Sequence, residues 1–449
     1  MKRLIPALVL MIGFSLLSTR VLASGIELKE QDAHAQARAL AVRAWLDNPA
    51  TLFFNPAGLA WLDGFGMSAG VTLVFPSFEF SDPTGQSPKS GSSTKLVPPP
   101  HGYLAFGTKI HKGGRLGAGL GVNFPFGMTI EWPDDFAGRH LVKKSALQIP
   151  QIHAGVAYSP VKQISFGANF VLSPANVYLE RYLGPEFGLV ADDGSPITDA
   201  RVQMAGSGMG YGFVAGLQAR PVDWLYLGMT WHSGMSIDMD GDAHFVLPGL
   251  SDKSGFADQP VKTGFKLPDV MAFGIGARYK LWYVEVDIDY TFWSVFKDIP
   301  INLPEDQSGT LSQSIPEYWK DVVTFRLGNQ LQVTPELTLS FGGGYDQTPT
   351  TSAHLAPMLP DSDRIFGSLG VGYRFDFGLS MDMAYLFTWF VPRTVTGHAC
   401  TQADPECLNT EGELVPYGPD GSLNWVGNRF PANYDGVAQL LAVTVGWQF

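Results

Sequence analysis

The chain has 449 residues, of which 45% are hydrophobic, 12% aromatic and only 16% charged, with 51 Gly, 32 Pro and two Cys. Ordinary soluble domains carry about 25% charge, so this composition argues against a typical water-soluble enzyme and against disorder. Past the N-terminus no stretch reaches the ~20 uninterrupted apolar residues of a spanning helix. A formal net charge of −12, from Lys+Arg 30 against Asp+Glu 42, makes nucleic acid a poor partner, since nothing basic is concentrated enough to track phosphates. A large β-barrel satisfies what remains.

Met1, Lys2 and Arg3 precede an apolar run from Leu4 to Leu17, and Val21, Leu22 and Ala23 then supply small or apolar residues before a cleavage point. This predicts a secretory signal removed after Ala23. As a membrane anchor the run is too short, about 14 residues against the ~20 needed, and Arg20 ends it. Export places Cys400 and Cys407, in a Gly/Pro/Asp-rich stretch, in an oxidising compartment. There they are expected to close a disulfide over about eight residues, a gain of roughly 2.5 kcal/mol by loop entropy. His398 alone does not make them a metal site, and no cofactor is expected.

Residues 24 to about 63 differ from the rest. An Ala-rich stretch, Gln31 to Leu46, predicts a helix, followed by Asn48, Pro49, Ala50 and by Asn55, Pro56, Ala57, Gly58. About forty residues cannot build a sizeable core alone, so Leu46, Phe53, Phe54 and Leu59 must bury against something. The lumen of a barrel is the available place. Asn-Pro followed by Ala and Gly favours tight turns and helix starts that would pin a compact plug.

From about Phe65 onward large apolar residues alternate with small or polar ones, the period of a strand with two unlike faces. The segments fall near residues 65 to 78, 101 to 111, 115 to 127, 145 to 159, 163 to 182, 200 to 220 and 223 to 245. They continue near 262 to 280, 281 to 296, 319 to 333, 336 to 347, 362 to 376, 378 to 391 and 436 to 449, which makes fourteen. In the last, Val437, Leu441, Val443, Val445, Trp447 and Phe449 share one face. In the ninth, Trp282, Val284, Val286, Ile288 and Tyr290 alternate with Tyr283, Glu285, Asp287 and Asp289. Three carboxylates on one face cannot look at lipid, so that face turns inward, where Arg278 and Arg326 are phased to neutralise it.

Connections alternate between short and long, the long ones near 79 to 100, 128 to 144, 183 to 199, 246 to 261, 297 to 318, 348 to 361 and 392 to 435. Outer-membrane barrels have this rhythm of periplasmic turns and external loops, and the 11 Trp and 30 Phe suit their aromatic girdles. The terminal Phe449 resembles the signal by which barrels are recognised by the assembly machinery. The expected fold is all-β: a fourteen-stranded antiparallel transmembrane β-barrel, monomeric, in outer-membrane lipid, plugged by its N-terminal segment.

The stretch from Asp47 through Asn48, Pro49, Phe53, Phe54, Asn55, Pro56, Ala57 and Gly58 to Ala60 resembles the N-terminal hatch of the FadL-type outer-membrane transporters of long-chain fatty acids and other hydrophobic compounds (OmpP1/FadL/TodX). Further resemblances are Phe126, Gly127 with Gly138, Arg139; Lys266, Leu267, Pro268; Phe292, Trp293, Ser294; and Tyr345 to Pro349 with Leu359 to Arg364. The resemblance implies a ligand that enters a groove among external loops, passes to an inner pocket and leaves through a kinked third strand into the membrane. Asn123, Phe124, Pro125, Phe126 and Gly127 match that strand. Proline there removes a ladder donor and glycine weakens pairing, which gives a wall defect a physical cause.

Two departures stand out. Val42 or Arg43 replaces a glycine usual in the family's hatch helix, and Ile315, Pro316 and Glu317 stand where a basic residue is expected before the tenth strand. Arg139, Lys320 and Arg326 are the remaining candidates to meet a fatty-acid carboxylate. A neutral aromatic or aliphatic hydrocarbon is therefore a rival substrate.

Loops offering Phe245, Leu247, Leu250, Leu355, Met358 and Leu359 are expected to capture a hydrophobic solute, and a lumen pocket with Phe53, Phe54, Phe124 and Phe126 to hold it until Asn55, Pro56 and Ala57 let the plug shift. Without a nucleotide motif, transport is expected to run downhill. An outer-membrane lipase would need a nucleophile beside His153 or His232, both on inward phases, and no Ser declares itself there. A hydrophilic porin, which needs no hatch, and a surface receptor or adhesin complete the alternatives.

Overall fold

The computed structural model describes residues 26–81, 89–93, 96–136, 138–183, 189–251, 256–305, 312–352, 354–395 and 432–449. The expected signal segment and the pair Cys400 and Cys407 lie outside the described residues.

Fourteen strands wrap into a closed antiparallel barrel. The first six are β1 (Gly64–Ser81), β2 (Pro100–Lys109), β3 (Arg115–Glu131), β4 (Lys144–Val161), β5 (Ile164–Tyr182) and β6 (Arg201–Val222). Two strands are in pieces, β7 (Leu225–His232 and Met235–Val246) and β8 (Gln259–Leu267 and Val270–Tyr279). The last six are β9 (Trp282–Thr291), β10 (Val322–Gln332), β11 (Leu337–Asp346), β12 (Arg364–Arg374), β13 (Leu379–Val395) and β14 (Ala432–Gln448). β14 returns to β1 from Gly66↔Gln448 to Ser81↔Asn433, so no edge is left to lipid. Val156, Phe170, Tyr211, Ile275 and Leu369 stand bare on the outside, the apolar surface a bilayer takes up.

The seventh and eighth strands were expected to be continuous, and the structure corrects this. Thr230 is buried before the break in β7 and Met235, Ile237 and Met239 after it, so the inward face changes parity at Ser233 and Gly234. β8 changes parity at Pro268 and Asp269. Glycine and a proline without an N–H explain why the ladder fails there. The ninth strand, expected to reach 296, ends at Thr291, ahead of a 3-10 turn, Trp293–Val295.

Residues 26 to 62 lie against the inner wall. The helix expected over Gln31 to Leu46 is only α1 (Ala33–Ala37), capped by Asp32, whose carboxylate accepts from the Ala35 N–H at 2.9 Å. Ala39 and Leu40 then adopt φ of 51° and 65°, a left-handed geometry that costs L residues roughly 1 kcal/mol or more each. Ser368 of β12 holds the bend, accepting from the Ala39 N–H at 2.8 Å and donating to the Ala37 carbonyl at 3.1 Å. The wall thus overrides local helix propensity. Next come α2 (Thr51–Phe54) and a 3-10 turn, Pro56–Trp61, with Asn55 accepting from the Ala57 N–H at 3.2 Å. A Cβ at Gly58 would sit 2.0 Å from Thr51 Oγ1, so only glycine lets this turn fold back on α2.

Two apolar cores fill the bore. One joins Leu46, Leu52, Phe53, Phe54 and Leu59 to Tyr103 and Ala157 of the wall. The other gathers Trp132, Phe136, Trp293, Trp319 and Met358 from the loops with the upper wall, including Phe245 near the end of β7, where a loop position was expected.

Candidate functional site

Inward polar side chains seat the N-terminal segment. Asp287 Oδ2 accepts from the backbone N–H groups of Val42 at 2.8 Å and Arg43 at 3.1 Å, and Glu285 Oε1 accepts from the Ala44 N–H at 2.6 Å. Asp289 Oδ2 receives Lys29 Nζ at 3.0 Å, Arg43 Nη2 at 3.2 Å and Arg326 Nη1 at 2.7 Å. All three carboxylates are buried, where a charge is tolerable only when paired. Arg278, expected to help neutralise this row, instead lies 4.3 Å from the Trp45 ring centre. The segment's own amides and cations take its place.

The third strand carries a bulge. Between Asn123↔Gln151 and Phe126↔Ile149, Phe124 and Pro125 face Pro150 alone. Backbone groups that the bulge frees are taken up from inside. The Leu28 N–H donates to the Pro125 carbonyl at 2.7 Å, and the Gly127 N–H to the Ile26 carbonyl at 2.8 Å. The Gln31 amide donates to the Phe124 carbonyl and accepts from its N–H, both at 3.0 Å.

A buried relay joins this bulge to the far end of the segment. Tyr103 donates to the Gln31 carbonyl at 3.1 Å, and Asn123 Nδ2 to the Tyr103 hydroxyl at 3.0 Å. His153 Nε2 reaches Asn123 Oδ1 at 2.9 Å, while Asn169 Nδ2 donates to His153 Nδ1 at 2.8 Å and to the Leu52 carbonyl at 3.2 Å. These directions agree only for a neutral His153 protonated on Nε2. The ring is a structural link, with no nucleophile among these partners.

A narrow cavity lies at the seam between the two cores. Phe53 lines it from the lower core, Phe126, Val214 and Leu267 from the upper, with Lys29 and Arg43 between them. His232 also lines it, and its Nε2 is buried without a hydrogen-bond partner. A second narrow cavity touches Glu27, Lys29, Arg326 and Arg364.

The residues singled out from sequence separate into groups. Phe53, Phe126 and Pro125 meet at the seam cavity. Phe54 is buried behind Phe53, their ring centres 4.9 Å apart, and Phe124 stands in the bulge beside Asn123 and Gly127. Asn55 bonds the Arg43 carbonyl at 2.8 Å and, with Pro56 and Ala57, forms the start of the 3-10 turn. Phe245, Leu247 and Met358 are buried in the upper core with Leu250 packed on it, so they face one another rather than an open groove. Arg326 lines the second cavity but is committed to Asp289. Arg139 lies over the Tyr182 ring at 5.7 Å, and Lys320 is exposed. Sequence reasoning passed over Lys29 and gave Gln31 and Arg43 no part in the site, since no motif marks their long-range partners.

Outside the spanning strands, burial raises several carboxyl groups, Asp32 and Glu317 among them. Asp32 is pushed up to about 6, with the nearby Asp382 charge adding to the effect. Burial likewise pushes Glu317, in the loop before β10, up to about 8, against a hydrogen bond from Trp319 Nε1 at 2.8 Å.

A closed barrel with an oily exterior, a wall bulge and an internal segment bonded to that bulge defines an outer-membrane protein of the plugged-barrel class. The family described as outer membrane protein transport protein (OMPP1/FadL/TodX) matches residues 14–449, and the chain belongs to it. The long-chain fatty acid transport protein of Escherichia coli is 26% identical over 412 residues, 85% of this chain and 90% of that one. The crystal structure of a Pseudomonas aeruginosa FadL homologue superposes with a TM-score of 0.76 at 19% identity, covering 95% of this chain and all of the other. That of the P. putida toluene transporter TodX gives 0.66 at 17% identity, covering 93% and 98%. These two likenesses bear on the fold.

Proposed function

We propose that the protein is a passive outer-membrane transporter of hydrophobic compounds, long-chain fatty acids foremost, that releases them sideways through the β3 bulge. One observation carries this reading: the inner cavity ends on Pro125 and Phe126, and the bulge there is closed by residues 26 to 31 rather than by a neighbouring strand. A small withdrawal of that segment connects cavity to lipid without unzipping a strand pair. The relay from Gln31 to Leu52 ties the withdrawal to the position of α2.

Each CH₂ leaving water gains about 0.8 kcal/mol, so an apolar chain enters the cavity downhill and leaves it for the bilayer with little change. Lys29 and Arg43 in the lining share Asp289, but Arg43 Nε is buried without a partner among the described residues, and a ligand with a carboxylate end would supply one where a bare hydrocarbon would not. The relative's name, long-chain fatty acid transport protein, agrees with that preference, and the toluene transporter keeps hydrocarbons as the second reading. The reading involves no chemistry on the ligand and a monomer placed by the barrel-assembly machinery.

Deleting Pro125 removes the extra residue and restores the β3–β4 register. Uptake of radiolabelled palmitate by cells carrying this variant is expected to fall while the barrel still folds. Unchanged uptake would falsify exit at β3, and competition between palmitate and toluene on the purified protein decides the ligand class.

A further inference from the structure

The wall has a second discontinuity, far from β3. β7 and β8 pair up to Leu267↔Met235 and again from Val270↔His232, which leaves Ser233 and Gly234 opposite Asp269 and Pro268 with no ladder between. On the other flank of β7 the register slips, since pairing stops at Met209↔Asp238 and resumes at Val214↔His232. Its depth matches that of the β3 bulge. Gly234 is nine residues past Leu225 (234 − 225), and Phe124 nine past Arg115 (124 − 115).

The outer surface changes character at this level. Below the break Met229, Phe273 and Ile275 are exposed and apolar; above it Ser236, Asp238, Lys262 and Lys266 are exposed and polar. On β7 and β8 the break therefore sits at the upper edge of the oily band, which the flanking β6 carries higher through Met209 and Tyr211.

Open space reaches it from both sides. The inner cavity ends on Ser233, Met235, Leu267 and Pro268, and on Phe213, whose ring is 47% exposed on the lipid side. Outside, a groove between the wall and residues 294 to 302 begins at Ser236 and Lys266, each one residue from the inner lining. Towards β6 the Ser233 N–H donates to the Phe213 carbonyl at 2.9 Å and the Phe213 N–H to Ser233 Oγ at 2.9 Å, while towards β8 no backbone pair spans the gap and side chains cover it. Phe213 packs edge-on against Trp231 with ring centres 4.9 Å apart, and Trp231 Nε1 donates to Asp269 Oδ1 at 2.8 Å.

We infer that the β7/β8 break is a second lateral mouth, at which an amphipathic ligand passes between the inner cavity and the outer rim of the lipid layer. Its apolar chain slides past Phe213, and its polar end rests in the groove by Lys266. The inference rests on the lateral-transport reading above and adds a route that the N-terminal segment does not seal. Opening it takes rotation of Phe213 and Trp231 together with a shift of the short Ser233–Gly234 connection, whose bonds to Phe213 yield.

The test is a reversible staple, Ser233→Cys with Asp269→Cys, in a Cys400→Ser, Cys407→Ser background. Oxidation is expected to lower palmitate uptake and reduction to recover it; a staple that forms and leaves uptake unchanged overturns the second mouth. Because Asp269→Cys also frees Trp231, a photoreactive residue at Phe213 supplies a second reading. It should label with radiolabelled palmitate above the same residue at Phe170, a lipid-facing site on β5, and equal labelling overturns the inference. The Pro125 deletion separates the two ideas. If it stops uptake while the staple does nothing, only the second mouth falls; if neither changes uptake, lateral transport falls as well.

Discussion

The periplasmic half of the bore and its external half are filled by different means. Below, the N-terminal segment has its own apolar core, yet its backbone is held by acceptors on the wall: Glu285, Asp287 and Ser368. Above, Trp132, Phe136, Trp293 and Trp319 pack as an apolar cluster, with ring centres 4.5 Å apart for Trp132 and Phe136 and 4.8 Å for Trp293 and Trp319. Apolar contact is non-directional and tolerates repacking, whereas buried hydrogen bonds fix one position and are lost together when it shifts. The lower half is thus fixed by direction-dependent bonds, and the upper half by contacts that tolerate local repacking.

That contrast breaks most sharply at Asp289. Asp289→Ala leaves Lys29, Arg43 and Arg326 buried without their shared carboxylate, a loss of about 3–5 kcal/mol. Limited proteolysis in detergent should show residues 26 to 63 released while the barrel persists, and planar bilayers should show new current. Trp293→Ala costs a similar amount, about 3–5 kcal/mol, but in the upper core. There the lower segment should stay protected from protease; equal release in both variants would erase the distinction drawn between the halves. Gln31→Ala is milder, about 1–3 kcal/mol, because it strands the Phe124 N–H and carbonyl at the bulge. Hydrogen exchange at Phe124 should quicken with little change elsewhere in β3.

The two halves also differ in how legible they are from sequence. The row Glu285, Asp287, Asp289 reads as inward at once, because lipid excludes charge from the face opposite Val284, Val286 and Ile288. Its partners do not read, since nothing local says that the amides of Val42 and Ala44 will meet it. For the same reason an Ala-rich stretch reads as a long helix, though Ser368, more than three hundred residues away by number, bends it at Ala39. Pro268 and Gly234 are visible strand breakers, but a smooth alternation over 223–245 hides the parity change that only facing strands reveal. Leu247 and Met358 read correctly as apolar. Whether apolar loop residues offer a surface or bury one another depends on loop packing, which alternation does not encode.

The smallest effect sharpens the polar side of the contrast through pH. Asp32 is buried at the start of α1, faced by Asn48, His34, the Ala35 N–H and the Asp382 charge, and burial lifts it from 3.8 to about 6. Burial works against a charge on His34, but the Asp382 carboxylate 2.9 Å away outweighs it and raises the imidazole above 6.5. Both groups bind protons more tightly in the seated segment than in a free one, so seating is strongest in acid. Asp32's share is present below pH ~4 and gone above ~6, and that of His34 is lost as pH rises through its raised value. Asp47, which the charges of His34 and Arg374 hold below its ordinary range despite burial, acts oppositely but only below pH ~4. For Asp32 alone the change is on the order of 3 kcal/mol. Protection of the α1 amides from hydrogen exchange, corrected for intrinsic rate, should therefore decline from pH 5 to 7.5. Asp32→Asn, which keeps the cap acceptor but removes the proton, should flatten the part of that decline near pH 6; protection that instead increases with pH would reverse the sign argued here.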